Sequence, residues 1–337
     1  MTQEQTTTQT SVDLGKINFM KVRTPAMILS LVLLVASLAG LWVKGLNLGV
    51  DFTGGTIIEL SYPNGAELNI LRDQLVEAGY EQAQVQHFGS SREVLIRIAP
   101  REDMASATLS NEVMATLRAA SDETIELRRV EFVGPQVGEE LTSDGALAVL
   151  YALIGILIYV ALRFEFRFSL GAIAALVHDV VITVGVFAWT QIQFDLTVLA
   201  ALLAIIGYSL NDTIVVFDRV RENFRMMREG SPSEVTNKAL NDMLSRTLMT
   251  SLTTLMVLVA LFFLGGEIIH GFATALIIGV VVGTYSSVYV ASNVALMLGV
   301  SKQDLMPPVK ADDDSEEKED ELQRAFLEAE AKRKLQD

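Results

Sequence analysis

The sequence predicts a polytopic α-helical membrane protein of about six spans, with one water-soluble α+β domain inserted after the first. Two observations carry this. Half of the 337 residues are hydrophobic and the mean hydropathy is +0.38. The apolar residues also come in blocks of the roughly 20 residues that cross a bilayer at about 1.5 Å rise each. The net charge of -15 argues against nucleic acid, which needs Lys and Arg to neutralise phosphate. The acid is concentrated in the polar stretches: residues 45–141 hold 7 Lys/Arg against 16 Asp/Glu, and residues 301–337 hold 7 against 12. With no Cys there are no disulfides, thiolate metal sites or thiol nucleophiles, and the redox compartment stays open.

Residues 1–23 read as a cytoplasmic N-terminal segment, Thr/Gln-rich and disordered in character to residue 16 and then basic at Lys16, Lys21 and Arg23. The first span is 24–44, built on the uncharged run from Thr24 to Val43. A signal peptide competes, because Ser37-Leu38-Ala39 resembles a small-x-small cleavage site. The run is long enough to span, and the later runs need a fixed first helix to orient them.

Residues 45–141 contain no comparable run. Asp51 to Tyr62 reads as a strand, Pro63-Asn64-Gly65 as a turn and Leu68 to Ala78 as a helix. Gln82 to Phe88 and Glu93 to Ile98 read as strands, Met104 to Ala120 as a helix and Thr124 to Val133 as a last strand. The order β-α-β-β-α-β is the ferredoxin-like split arrangement, a four-stranded antiparallel sheet with two helices on one face.

Five more spans follow, at 142–163, 170–190, 196–217, 247–265 and 270–298. Arg163 and Arg167 lie between the second and third. Arg219, Arg221, Arg225, Arg228, Lys238 and Arg246 lie between the fourth and fifth. Loops 191–195 and 266–269 contain no Lys or Arg. The basic loops belong in the cytoplasm with both termini, which puts the 45–141 domain outside. Residues 218–246 read as a cytoplasmic loop with an amphipathic helix. Ser231-Pro232-Ser233-Glu234 is a capping box with Pro at the first helical position, and Val235, Ala239, Leu240, Met243 and Leu244 form the apolar face of a short helix expected to lie on the cytoplasmic membrane surface and to lead into the fifth span. Residues 299–337 read as a charged cytoplasmic tail with Phe326 and Leu327 its main apolar content.

Charge inside a membrane is expensive and usually functional. Asp212 lies in Gly207-Tyr208-Ser209-Leu210-Asn211-Asp212-Thr213, five residues from the expected end of its span. Ser209 and Thr213 share its helix face, which must point into the bundle. A carboxyl stripped of water there can take up and release a proton; the plainer alternative is a static polar residue bonding neighbouring helices. Arg246 opens the fifth span as the natural partner of Asp212, with Thr250, Thr253 and Thr254 continuing its face; alternatively it is a snorkelling Arg that marks the boundary. Asp179, preceded by His178, is a second relay carboxyl or a bond to hydroxyls on a neighbouring helix. A metal site from His178, Asp179 and Asp212 lacks diagnostic spacing, and no cofactor is expected. In the sixth span Gly271, Ala275, Gly279, Gly283, Ser287 and Ala291 recur every four residues, so Gly279 and Gly283 allow close helix approach, within this chain or to another subunit.

Four stretches together resemble the SecD/SecF family of the RND transporter superfamily. They are Gly49-Val50-Asp51-Phe52-Thr53-Gly54-Gly55-Thr56, Val133-Gly134-Pro135-Gln136-Val137-Gly138, Gly207 to Arg219, and Arg246-Thr247. The resemblance covers nearly the whole chain. It implies an RND-like half in the bacterial inner membrane that pairs with SecD to make a twelve-span unit beside the SecYEG channel and the SecA motor. It also implies use of the proton motive force, or of sodium, to assist preproteins on the periplasmic side. Asp212 and Arg246 occupy positions that belong to the ion pathway in such chains, and the Val-His-Asp stretch at Asp179 is also similar. Three readings compete. A small-molecule exporter half would carry a larger external domain. An intramembrane aspartyl protease built on Asp179 and Asp212 would need a Gly-x-Gly-Asp that the sequence lacks, so no enzyme is expected. A passive scaffold would tolerate Asp212→Asn.

Overall fold

The computed structural model describes residues 17–81, 83–100, 106–120, 124–227 and 230–300. The expectations for residues 1–16, Arg228 and the tail from 301 lie outside these. Six helices among the described residues are long and apolar enough to cross a membrane.

The chain enters through a 3-10 turn, Phe19–Val22, and continues into α1, Arg23–Val43. Phe19 and Met20 are buried, and the backbone N–H groups of Ile17 and Met20 donate to Asn241 and Asn237. The last residues before the first span are therefore docked on the bundle.

The inserted domain has the expected β-α-β-β-α-β order: β1 (Gly55–Ser61), α3 (Leu68–Glu77), β2 (Gln84–Phe88), β3 (Ser90–Ile98), α4 (Ser106–Ala119) and β4 (Glu126–Val133). The sheet runs β2-β3-β1-β4 with every pair antiparallel. Alternate residues of the two central strands, Ile58 and Leu60 with Val94, Ile96 and Ile98, form one core with Leu71 and Leu75 of α3 and with Val113 and Leu117 of α4.

One expectation is corrected here. Asp51 to Tyr62 is not a single strand: Val50–Thr53 forms one helical turn, α2, and the strand begins at Gly55. Gly54 and Gly55 make the break, with φ of +68° and +133°. A Cβ on Gly55 would lie 2.7 Å from the Ile98 carbonyl oxygen, and one on Gly54 would lie 2.9 Å from Pro135 Cα. Only glycine meets both the dihedral and the space.

The other spans are α5 (Pro135–Arg163), α6 (Phe166–Thr190), α7 (Leu196–Met226) and α8 (Pro232–Leu264). The last comprises α9 (Glu267–Ser286), a π-helical segment Ser287–Ala291, and α10 (Ser292–Met297). Helices α6 and α7 form the inner pair, with α7 packed on α6, α8 and α9, and α1 packed on α6. Helix α5 exposes apolar side chains such as Leu150, Tyr151, Ile154 and Leu157, as lipid-facing helices do.

The stretch 218–246 differs from expectation. The expected helix does start at Pro232 and lead into the fifth span, as one unbroken α8, but α7 runs on to Met226 and the helix lies against it rather than on a membrane surface. The capping box is formed, with Ser231 N–H donating to Glu234 at 2.8 Å and Glu234 N–H to the Ser231 hydroxyl at 3.3 Å. Val216, Val220 and Phe224 on α7 face Val235, Ala239 and Leu240 on α8 in one buried cluster. The amphipathic face that looked fit for a membrane surface is buried against protein. Buried Asn223 and half-buried Arg219 both donate to Asp242 across the hairpin.

The small-residue stripe packs within the chain. A Cβ on Gly279 would lie 2.3 Å from Ile205 Cγ1, one on Gly271 would lie 3.1 Å from Val198, and one on Gly283 would lie 3.2 Å from Ser209 Cβ. All three neighbours are on α7.

Domain and bundle are clasped together. Gly49 N–H donates to the Phe194 carbonyl at 2.7 Å and Phe194 N–H to Asn47 at 2.8 Å. Asp51 accepts from Leu196 N–H at 3.0 Å at the start of α7, beside the N-cap Asp195. The Arg97 guanidinium, buried in β3, donates to the Leu48 carbonyl at 2.7 Å. Burial pulls its pKa below the usual arginine value, and the charges of Asp51 and Asp195 oppose this.

Candidate functional site

The two membrane aspartates sit in adjoining polar pockets between α6, α7, α8 and α9. Asp212 faces inward from α7 because Ile205, Ser209, Asp212, Thr213 and Val216 form that helix's buried side. One carboxylate oxygen accepts from the Thr247 hydroxyl of α8 at 2.9 Å, and the other accepts from the Ser287 hydroxyl at the start of the π segment. Asp212 is 8% exposed. Helix α7 continues past the expected end of its span to Met226, so Asp212 lies about 21 Å from the helix end by rise per residue.

Asp179 on α6 is fully buried. Its Oδ2 accepts from Ser209 of α7 at 2.5 Å and from Ser286 of α9 at 2.7 Å, while Oδ1 meets His178 Nδ1 at 2.9 Å. His178 is also buried, and its Nε2 has no hydrogen-bond partner among the described residues. The imidazole stacks on Tyr285 with centroids 6.1 Å apart. The Tyr285 hydroxyl donates to the Ala26 carbonyl at 2.6 Å and meets Ser30 at 3.0 Å, which ties this pocket to α1. No group of three His, Asp or Glu side chains among the described residues could hold a metal ion.

Three site expectations change. Arg246, exposed on α8, forms no ion pair with Asp212 among the described residues, and its charge reaches the carboxyl only through space. The residue that touches Asp212 is its neighbour Thr247. Thr250 does not support the carboxyl either; its hydroxyl donates to the Arg246 and Thr247 carbonyls of its own helix, at 3.1 and 2.9 Å. Ser209 serves Asp179, whereas Thr213 is buried on the expected face. Gly283 brings α9 close enough for its serines to reach the carboxyls: a Cβ there would lie 3.5 Å from Asp179 Oδ2. Gly279 sets the same approach one turn away.

Sequence reading missed Thr247 and Ser286 as site residues and took Ser287 for packing alone. The available signal was the run Thr284-Tyr285-Ser286-Ser287, four consecutive hydroxyl residues within a membrane span. Hydroxyls at membrane depth bond across helices.

Residues 112–301 match the family described as protein export membrane protein SecD/SecF, C-terminal, and residues 39–62 match the SecD/SecF GG motif. The chain belongs to the SecD/SecF family. The GG motif is the Gly54–Gly55 break with the Asp51 clasp beside it. Proteins named protein translocase subunit SecF are similar over most of their length. The one from Vibrio alginolyticus is 53% identical over 292 residues, 87% of this chain and 93% of that one. The one from Pseudomonas aeruginosa is 50% identical over 303 residues, 90% and 98% of the two chains. Among solved structures, SecDF from Thermus thermophilus, described as a translocon-associated membrane protein, superposes with a TM-score of 0.77 at 38% identity. That match covers 86% of this chain and 39% of the SecDF chain. A SecDF in a super-membrane-facing form superposes at 0.64. As a member of the SecD/SecF family this is a multi-pass membrane protein of the protein-export class.

Proposed function

We propose that this chain is one half of an ion-gradient-driven assembly that assists Sec-dependent protein export across the bacterial inner membrane, with SecD supplying the other half. The observation that carries this is Asp212, buried in α7 and held by hydroxyls from two other helices. A carboxyl in a low-dielectric bundle is costly to keep charged. One surrounded by hydroxyls, which can donate or accept, can gain and lose an ion without leaving an unpaired group.

Asp212 is the ion-carrying residue, Asp179 a second carboxyl of the pathway, and Arg246 a nearby fixed charge that biases occupancy of Asp212 through its field. Arg163, Arg219, Arg221 and Arg225 cluster at one end of the bundle, and the four-stranded domain is at the other. By the positive-inside tendency the basic end and both termini are cytoplasmic and the domain is periplasmic. Ion uptake changes the charge between α7, α8 and α9. A shift of α7 is passed to the domain through the Asp51–Leu196 bond and the strand-like pairing of Leu48 with Phe194. One charge moving through 100 mV supplies about 2.3 kcal/mol, enough to bias a conformational step. The SecYEG channel, the SecA motor and preproteins are the partners such a step would serve.

The test is preprotein translocation into membrane vesicles with and without a proton or sodium gradient, comparing wild type with Asp212→Asn at equal expression. Loss of the gradient-dependent part supports the proposal. Unchanged gradient dependence overturns it and leaves a scaffold.

A further inference from the structure

Ser286 and Ser287 are consecutive, fully buried and placed where α9 gives way to the π segment. Their hydroxyls go to different carboxyls, Ser286 to Asp179 on α6 and Ser287 to Asp212 on α7. Each also has a second acceptor in its own helix: Ser286 reaches the Gly283 carbonyl at 3.1 Å, and Ser287 reaches the Thr284 carbonyl at 3.0 Å. Each hydroxyl therefore lies between an external carboxylate and an internal carbonyl. The Ser287 carbonyl in turn accepts from Ser292 at 3.2 Å. π segments interrupt the regular ladder and recur at functional sites.

We propose that Ser286 and Ser287 are positioning residues that couple ion occupancy at Asp179 to ion occupancy at Asp212, so that the two carboxyls load and unload as a pair. This inference rests on the ion-relay function proposed above and names how its two sites communicate. An ionised Asp212 accepts the Ser287 hydroxyl. Once Asp212 carries a proton, its own O–H can donate to Ser287 Oγ, and the serine hydrogen turns to the Thr284 carbonyl. One proton is gained and every polar atom stays bonded. The same exchange is open to Asp179, Ser286 and the Gly283 carbonyl. The Gly283 and Thr284 carbonyls belong to consecutive peptide units of one turn, so a hydrogen bond taken up by one repolarises the linked bonds that hold the other serine. Among the described residues, the other titratable or charged groups around the cluster include His178 on α6, Tyr208 on α7, Tyr285 on α9, Tyr289 in the π segment and Arg246 on α8. Helix α1 contributes only Ser30 and the Ala26 carbonyl.

The experiment follows the carboxyl C=O stretches of the full chain, in complex with its membrane partner in lipid, by infrared difference spectroscopy across pH. Asp179→Asn and Asp212→Asn assign the bands. In the wild type, Asp179→Asn should displace the Asp212 midpoint by about one pH unit or more, the size at which two sites titrate as a pair. In a Ser286→Ala or Ser287→Ala background that displacement should vanish while both bands still titrate. Ser292→Ala removes a buried hydroxyl from the same segment that is bonded only to backbone, and it should leave the displacement intact. Coupling that survives both serine substitutions is through-space and overturns the inference while leaving the relay standing. Coupling lost equally in Ser292→Ala reflects packing of the π segment and also overturns it. Carboxyl bands that do not titrate at all overturn the relay and this inference together.

Discussion

The hydroxyls of Ser286 and Ser287, adjacent in sequence, end on carboxyls carried by two different helices, Asp179 on α6 and Asp212 on α7. Successive residues of a helix point about 100° apart. Two neighbours on one span can thus serve two flanking helices, and the last span reaches both pockets at the junction of α9 with the π segment, as α7 does through Ser209 and Asp212.

Thr247 and Thr250 are one turn apart on α8, but only Thr247 bonds Asp212. Thr247→Val keeps the volume and leaves one carboxylate oxygen without its donor, a loss of about 1–3 kcal/mol. Gradient-dependent export should fall, though less than in Asp212→Asn. Thr250→Val should leave it unchanged, since that hydroxyl is bonded within its own helix. Equal effects of the two in a translocation assay would refute the assignment of Thr247.

At Gly279, α9 packs directly against Ile205 of α7. Gly279→Leu drives a side chain into Ile205 and should destabilise the protein by roughly 1–3 kcal/mol. Ile205→Ala in the same chain should restore part of this, giving a non-additive double-mutant cycle. Thermal unfolding in detergent measures both. Full additivity would mean that the two helices do not meet there.

Gly55→Ala places a Cβ against the Ile98 carbonyl at a φ that alanine rarely adopts. The expected loss is larger than the gain of about 0.4–1 kcal/mol that the same change brings at a compatible site. Gly134→Ala is the control, because the nearest atom to a Cβ there is a side-chain carbon 4.0 Å away. A melting temperature that drops for Gly55→Ala and holds for Gly134→Ala is the expected result.

Arg97→Met keeps the buried stem but removes the donor to Leu48 and the charge facing Asp51 and Asp195. An orphaned acceptor costs about 1–3 kcal/mol, and proteolysis of the 45–55 segment should speed up. Asp218→Asn, by contrast, breaks a half-exposed pair with Arg163 at 2.7 Å and should change stability by less than about 1 kcal/mol.

Much of this architecture was legible along the chain. The apolar runs marked six spans, and strand and helix periodicities marked the split β-α-β-β-α-β domain. Depth in an apolar run marked Asp179 and Asp212. The 218–246 stretch was misread because an amphipathic face has the same pattern whether it meets a membrane surface or the extension of another helix. Val216, Val220 and Phe224 of α7 turned out to be its partner. Arg246 stands out in sequence as a charge one residue from the contact, whereas Thr247, which makes the contact, does not.

By itself, then, the sequence determined what solvent each stretch requires. About 20 apolar residues suit hydrocarbon and little else, alternation suits a half-buried sheet, and a carboxyl within such a run must turn inward. Which hydroxyl meets which carboxyl was decided only by the tertiary structure. That pairing depends on helix rotation and crossing, on the close approach allowed by Gly279 and Gly283, and on a π segment that no periodicity announces. A rotation of α9 by one residue would break the pairing of Ser286 with Asp179 and of Ser287 with Asp212 while leaving every hydrophobic pattern in the chain unchanged.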